Sequence, residues 1–285
     1  MGNALTAVVL GIAYVSLFLL ERALPLRRPK ERLFPRLLVN VAVSLAAFGA
    51  AAALVWPAAA VTLDFTGDNS FGLLPLAGVT GAAEIVAAFL LLDLSLYYWH
   101  VANHRIAFLW RFHNVHHIDP DLDVTTAFRF HFVEVGLSAG FRIAQVLLIG
   151  PTLTAYVIYE VAFQLGTLFH HSNLRLPFVV ERAVNLLLVT PRMHGIHHSD
   201  IREEDLTNFG VVFPWWDRLH RTLRVNVPQA QVTIGIPGYS APHDNAVLNS
   251  FLMPFQRQRD YWQAPQGRRL RREGAMPAPV SQLCA

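Results

Sequence analysis

The sequence predicts an all-α protein, a polytopic bundle of membrane helices with a histidine-rich metal-site cap on the cytoplasmic side. Three observations predict it. Of 285 residues, 53% are hydrophobic and only 15% charged, against roughly 25% charged in an average soluble domain. Several uncharged runs are long enough to cross a hydrocarbon core of ~30 Å. Eleven of the thirteen histidines fall between residues 100 and 198, eight of them in three short windows with helical spacing. A mean hydropathy of +0.36 agrees with lipid, rather than one packed core, receiving much of the apolar surface.

The same arithmetic excludes other classes. Cys284 is the single cysteine, so a disulfide scaffold, a cysteine zinc site and an iron–sulfur cluster cannot be built within one chain. A net charge of +3 with a pI near 9.3 reflects arginines in loops and tail, so no nucleic-acid partner is expected.

The first span covers about residues 4–20, ALTAVVLGIAYVSLFLL. A cleaved signal peptide competes with this reading, but no basic residue precedes the run and no small-x-small site follows it before Glu21. Arg22, Arg27, Arg28, Lys30, Arg32 and Arg36 come next and mark a cytoplasmic loop. A second span, about 37–63, is interrupted by Pro57, and the connection Asp64 to Ser70 carries two acids and no base, which fits the opposite side. The N-terminus is therefore expected outside.

The third span, about 81–99, carries Glu84 and Asp93, which are costly in lipid and should face protein or water. Spans at about 132–149 and 152–169 read as a helical hairpin broken at Gly150-Pro151, with both ends cytoplasmic. Residues 1–255 thus form one membrane-embedded domain. Residues 256–285, with Arg268, Arg269, Arg271, Arg272 and several prolines, read as a basic tail in solvent or against headgroups.

The three windows are His100-Val-Ala-Asn-His104, His113-Asn-Val-His116-His117 and His194-Gly-Ile-His197-His198. On a helix, positions i, i+3 and i+4 share a face, so each HxxHH aims three imidazoles one way, and the i, i+4 pair His100 and His104 adds two more. Burying so many imidazoles near a bilayer is expensive unless something pairs with them, and a divalent metal does so by accepting neutral nitrogen. Eight nitrogens exceed the need of one ion, which predicts a two-metal site. His220 and His243 stand alone and read as satisfied interfacial residues. A bis-histidine haem needs one histidine from each of two helices rather than triplets, and no His-Glu-x-x-His zinc-protease motif occurs.

The order HxxxH, HxxHH and a late HxxHH, set after membrane spans, resembles the fatty acid hydroxylase / sterol desaturase superfamily of integral-membrane di-iron enzymes. The resemblance runs from about Leu91 to Thr222. Asp121-Leu-Asp-Val-Thr-Thr-Ala-Phe-Arg-Phe-His131 is similar to the family's inter-motif segment, with Phe132 where a proline is usual and Glu134 retained. His171-Ser-Asn173, Thr190-Pro-Arg-Met-His194, Asn208-Phe-Gly and Trp216-Asp-Arg are further landmarks, and His220-Arg221-Thr222 departs from the usual Phe-Gly-Thr. The resemblance implies ten metal ligands: the eight motif histidines His100, His104, His113, His116, His117, His194, His197 and His198, which are also the catalytic set, plus His131 and His171. His170 adjoins His171, and consecutive helical residues point about 100° apart, so only one of the pair should reach a given ion.

Imidazole suits zinc, copper or iron alike; the resemblance implies two iron ions, with zinc as a possible substitute, and O2 as co-substrate. It implies a monooxygenase acting on a membrane lipid, either an acyl chain, a sterol-like ring system or a carotenoid. A desaturase with the same ligands remains open, as does a non-redox zinc protein, hydrolase or ion carrier, for which Glu134, Asp93, Asp119 and Asp200 would supply the acid. No Gly-x-Gly-x-x-Gly fingerprint or cysteine cluster is present, so electrons should come from a partner, a ferredoxin or a cytochrome with its reductase. Arg105, Arg111, Arg129, Arg192 and Arg202 would attract an acidic donor or simply obey the positive-inside rule. Tyr97, Tyr98, Trp99, Phe108 and Trp110 would line a lateral substrate path or form an interfacial belt.

Overall fold

The computed structural model describes residues 4–272; Cys284 and the rest of the expected tail lie outside them. The described residues are helical with no strand, only three isolated β-bridges. Four stretches are long and apolar enough to cross a membrane: Ala4–Ala23, Leu33–Leu76, Gly81–Arg105 and Phe132–Ile149. The chain is an integral membrane protein.

Helix α1 (Ala4–Ala23) leaves Leu5, Val8, Ile12 and Leu19 exposed on one side, while Leu10, Tyr14, Leu17 and Phe18 pack against Val124, Ala127 and Leu168. Its C-terminal end is tied down by Glu21, whose Oε2 accepts from the amides of Val124 and Asn173 at 3.1 and 2.7 Å. Helices α2 (Leu33–Ala50) and α3 (Trp56–Asp68) are joined without a break by a π-helical segment, Ala51–Val55. Pro57 explains the segment. A proline inside a helix lacks its N–H and clashes with the carbonyl four residues back, and widening the preceding turn relieves both. The expected interruption is thus a local change of pitch within one long element.

Helix α4 (Leu73–Leu76) is a short turn before α5 (Gly81–Arg105). Helix α7 (Phe132–Ile149) packs along α2 and α3, and α8 (Leu153–His171) packs against α5. Gly150 closes the α7–α8 hairpin at φ +66°, and a Cβ there would come within 2.4 Å of the Phe71 carbonyl oxygen. The Asn69–Gly72 connection and the hairpin tip therefore meet at the end of the bundle away from the histidines. Helix α8 is not among the four stretches apolar enough to span alone. Glu160, Gln164, Thr167, His170 and His171 lower its apolarity, and it packs against α1, α5 and α10. Glu84 and Asp93 face protein as expected: Glu84 caps α8 through Thr152, at 2.9 Å to its amide and 3.0 Å to its hydroxyl. Asp93 accepts from the amides of Val212 and Phe213 and from Trp216 Nε1.

The cap is built from α6 (Ala107–His117), α9 (Phe178–Val184), α10 (Pro191–His197), α11 (Arg202–Asp205), α12 (Trp215–Leu219), α13 (Val247–Leu252) and the loops between. A buried network anchors it to α2: Arg36 pairs with Asp119 at 2.5 Å and Asp123 at 2.6 Å, and Asn40 donates to Asp119 at 2.9 Å. Over its described part the expected tail is mostly exposed, Arg268, Arg269 and Arg271 included, but it is anchored to the cap at two points. Trp262 stacks on Trp110, and Arg272 forms a two-pronged pair with buried Glu204 at 2.6 and 2.8 Å.

Candidate metal centre

Nine of the ten proposed ligands converge into two adjoining clusters. His100, His104, His113, His117 and His197 form one, and His116, His171, His194 and His198 the other; within each, the ligand atoms lie within 4.8 Å of one another. The HxxHH motifs do not aim three rings at one point. Each splits, because residues i and i+4 stack along the helix while i+3 diverges to the other side of that line. His113 and His117 serve the first cluster and His116 the second; His194 and His198 serve the second and His197 the first. The rings of His117 and His198 stack at 4.2 Å where the clusters touch.

In the five-histidine cluster the outer nitrogen of each ring is held. His100 Nδ1 lies 2.9 Å from the Phe209 carbonyl, His104 Nδ1 3.0 Å from Asp205, His113 Nδ1 2.7 Å from Glu134, and His197 Nδ1 2.8 Å from the Thr207 carbonyl. His117 Nδ1 stands 3.1 Å from the other Asp205 oxygen, an ion-pair contact rather than an aligned hydrogen bond. Acceptors at Nδ1 fix the proton there and leave the Nε2 lone pair pointing inward. The Nε2 atoms of His104, His113, His117 and His197 are buried without a hydrogen-bond partner. Such orphaned nitrogens fit a cation-binding site, since a buried polar atom left unpaired is costly.

The second cluster draws its Nε2 atoms still closer, with His116 to His171 at 3.0 Å, His171 to His194 at 3.1 Å and His194 to His198 at 3.1 Å. His171 is oriented by the Thr167 carbonyl at 2.9 Å. Burial, followed by the neighbouring imidazoles, pushes His116, His117, His194 and His198 well below the usual histidine range. They are neutral at pH 7, the form that ligates a metal.

One short irregular segment sets three of the rings: the carbonyls of Thr207, Phe209 and Val211 accept from His197, His100 and His170. Asp217 clamps this segment through the amides of Phe209 and Gly210 at 2.8 and 2.7 Å, and Asn208, at φ +57°, ties it to Met193 and Arg224. A Cβ on Gly210 would lie 2.7 Å from the Phe213 carbonyl oxygen, so the close approach requires glycine.

His131 is the exception among the expected ligands. Its Nδ1 accepts from the Val133 amide at 3.2 Å, capping α7, and its Nε2 lies 3.2 Å from the Phe251 carbonyl. His131 is thus the N-cap of α7, and its ring packs against Phe112 and Phe255, apart from both clusters. His170 also belongs to neither; of the adjacent pair, His171 is the one that converges. His220 packs on Tyr97 with both nitrogens engaged by Trp216 and Tyr98, and His243 is exposed.

Sequence reasoning missed Asp205, which serves two ligands at once. Its signal was an acid seven residues after the last histidine, in the Arg202-Glu-Glu-Asp205 turn. Asp119 and Asp93 are consumed by structural contacts, and Arg129 is fully buried, donating to Val115 and Asn40, so it cannot attract a partner. Of the five aromatics named above only Trp99 lines the cavity described next; Trp110 is buried against His104, and Tyr98 and Phe108 are exposed.

A cavity of about 680 Å3 runs between α1, α2, α3, α5, α7 and α8 and ends on both clusters, at His100, His113, His116, His171 and His194. Most of its wall is apolar, with Leu10, Leu45, Phe48, Trp56 and Phe141 among the lining residues.

A fatty acid hydroxylase sequence profile matches residues 85–222, the segment holding every clustered histidine. Over these residues, just under half of its length, the chain carries the fatty acid hydroxylase family pattern, which supports membership of the fatty acid hydroxylase / sterol desaturase superfamily. It is 30% identical over 178 residues to ornithine lipid hydroxylase OlsE of Rhizobium tropici, covering 62% of this chain and 52% of the relative. It is 30% identical over 145 residues to human cholesterol 25-hydroxylase (50% and 51% covered) and 28% identical over 141 residues to human alkylglycerol monooxygenase (48% and 29% covered). The match thus spans about half or less of the length of these relatives. No solved structure matches the chain.

Proposed function

We propose that this protein is an oxidoreductase that hydroxylates a membrane lipid with O2, using two iron ions and electrons from an external ferredoxin or cytochrome. The observation that carries the reading is the juxtaposition of an apolar cavity inside the bundle with two all-imidazole clusters at its end. An all-imidazole donor set suits iron or zinc; oxidation by O2 favours iron, because zinc has no redox chemistry. Bound iron would supply the oxidising equivalents for an unactivated C–H bond. This chain's residues do the rest: the nine clustered histidines hold the metals, Asp205, Glu134 and the Thr207–Val211 carbonyls fix their rings, and the cavity wall orients an alkyl chain and excludes water. The names of all three relatives describe oxidation of lipids, which supports the class of substrate.

The test is growth of an expressing host under isotope-labelled dioxygen, followed by lipid mass spectrometry and metal analysis of the purified protein. A labelled lipid alcohol and about two irons per chain are expected. An unlabelled lipid lacking two hydrogens would assign a desaturase; zinc with no lipid product from native-organism extracts and a competent electron donor would favour the non-redox reading. His116→Ala and His197→Ala, one in each cluster, should each lower metal content and abolish activity.

The orientation we infer, with N-terminus outside and clusters cytoplasmic, rests on the basic stretch Arg22–Arg36. Cys284 should resist an impermeant thiol reagent in intact cells and react after permeabilisation; labelling of intact cells refutes it.

A further inference from the structure

Deep in the bundle, the cavity carries a charged pair that the metal centre does not use. Arg142 on α7 is buried, 6% exposed. Its Nη2 lies 2.8 Å from Glu160 Oε1 on α8, and its Nη1 donates to Gln145 at 2.8 Å. Gln145 in turn donates to Ser95 on α5 at 2.6 Å. Both Arg142 and Glu160 line the cavity, and the Glu160 side chain is 28% exposed.

Ionisable residues within membrane helices are costly and usually mark a ligand path or a relay. Polar residues recur along the cavity side of both helices, at Ser138 and Arg142 on α7 and at Glu160, Gln164 and Thr167 on α8. A pure helix–helix tie would need only the pair. A proton route would favour groups that release protons, and arginine does not.

Resting on the hydroxylase reading above, we propose that Arg142 and Glu160 anchor an uncharged hydrogen-bonding group, such as a hydroxyl, on the lipid that is oxidised. The pair is electrically neutral as a unit, so it rewards a dipole. A carboxylate or phosphate would face Glu160 and an ammonium would face Arg142. The reach sets the substrate's dimensions. Glu160 and His171 are eleven positions apart on α8, about 16 Å at 1.5 Å per residue. An extended chain advances about 1.2 Å per bond, so roughly a dozen bonds separate the anchored group from the oxidised carbon.

The test measures binding without turnover. Metal-loaded protein in detergent is titrated with ω-bromododecanol and separately with bromododecane. Quenching of Trp99, which lines the cavity, is read as the difference from the Trp99→Phe variant. The alcohol should bind about 10-fold more tightly, the worth of a hydrogen bond to a charged group. The double variant Arg142→Met/Glu160→Leu, which leaves no unpaired buried charge, should abolish that preference while bromododecane binding and metal content stay unchanged. Equal binding of alcohol and alkane by the unaltered protein overturns the proposal, as does a preference that survives in the double variant, or tighter binding of ω-bromododecanoate. The first and last of these comparisons keep Arg142 and Glu160 unaltered, so misfolding of the double variant cannot obscure them. A preference without lipid oxidation would count against the hydroxylase reading alone, and oxidation without a preference against the anchor alone.

Discussion

Asp205 gives the sharpest handle on the metal centre, because it touches one cluster and leaves the other alone. Its two oxygens face His104 and His117 at 3.0 and 3.1 Å, both in the five-histidine cluster, and burial pushes its carboxyl well above the usual range, against the pull of Arg202. Asp205→Asn keeps the shape, but an amide has one acceptor oxygen, so one ring must face an N–H2 group and lose its orientation. Partners of this kind are worth about 10- to 100-fold in metal affinity, or about 1.4 to 2.7 kcal/mol. Loss should be confined to one site. Titrating loaded protein with a competing chelator and counting released metal should give two phases, one shifted by about 10- to 100-fold and one overlapping the unaltered protein. Two unshifted phases, or two shifted equally, would refute the assignment of Asp205 to a single cluster.

Other perturbations follow from the same geometry. Metal-stripped protein should lose thermal stability as pH falls below about 6.5: the unfolded chain takes up protons there, while His116, His117, His194, His197 and His198, all held well below that range, do not, so stability rises with pH across this window. A flat melting temperature between pH 7 and 5 would contradict the burial of these rings. His131→Asn should keep the helix cap and full metal content, whereas a lost metal would restore it to the ligand set. Gly150→Ala should destabilise the hairpin by at least about 1–2 kcal/mol from the left-handed backbone alone, with more from the clash against Phe71 and Pro75, read as a lower melting temperature with metal stoichiometry intact.

Much of the molecule was legible in one dimension because its signals are local. An uncharged run of 17 residues set the first span and a mostly apolar run, carrying only Glu84 and Asp93, set the third, while Gly150-Pro151 set the hairpin tip, since only a residue tolerant of positive φ fits that close turn. The histidine spacing announced clustered imidazoles, because i, i+4 pairs must lie together on whatever helix carries them. Pro57 was read as an interruption, yet a π turn absorbs it; the choice between a break and a change of pitch depends on neighbours that the local sequence does not contain.

Tertiary structure alone decided how the ligands are shared. That His116 parts from His113 and His117 depends on where α8 and α10 bring His171, His194 and His198, and helical periodicity cannot say which side a partner will come from. Asp205 partners two rings only because the fold brings its side chain to His104 on α5 and His117 on α6, and His131 stands apart from both clusters because its ring meets the Val133 amide and the Phe251 carbonyl. The pairing of Arg142 with Glu160 across the hairpin is likewise a contact between distant positions. Periodic pattern fixes which side chains share a helix face, but the partners of that face are chosen by long-range packing, and in this protein the chemistry lies in those partners.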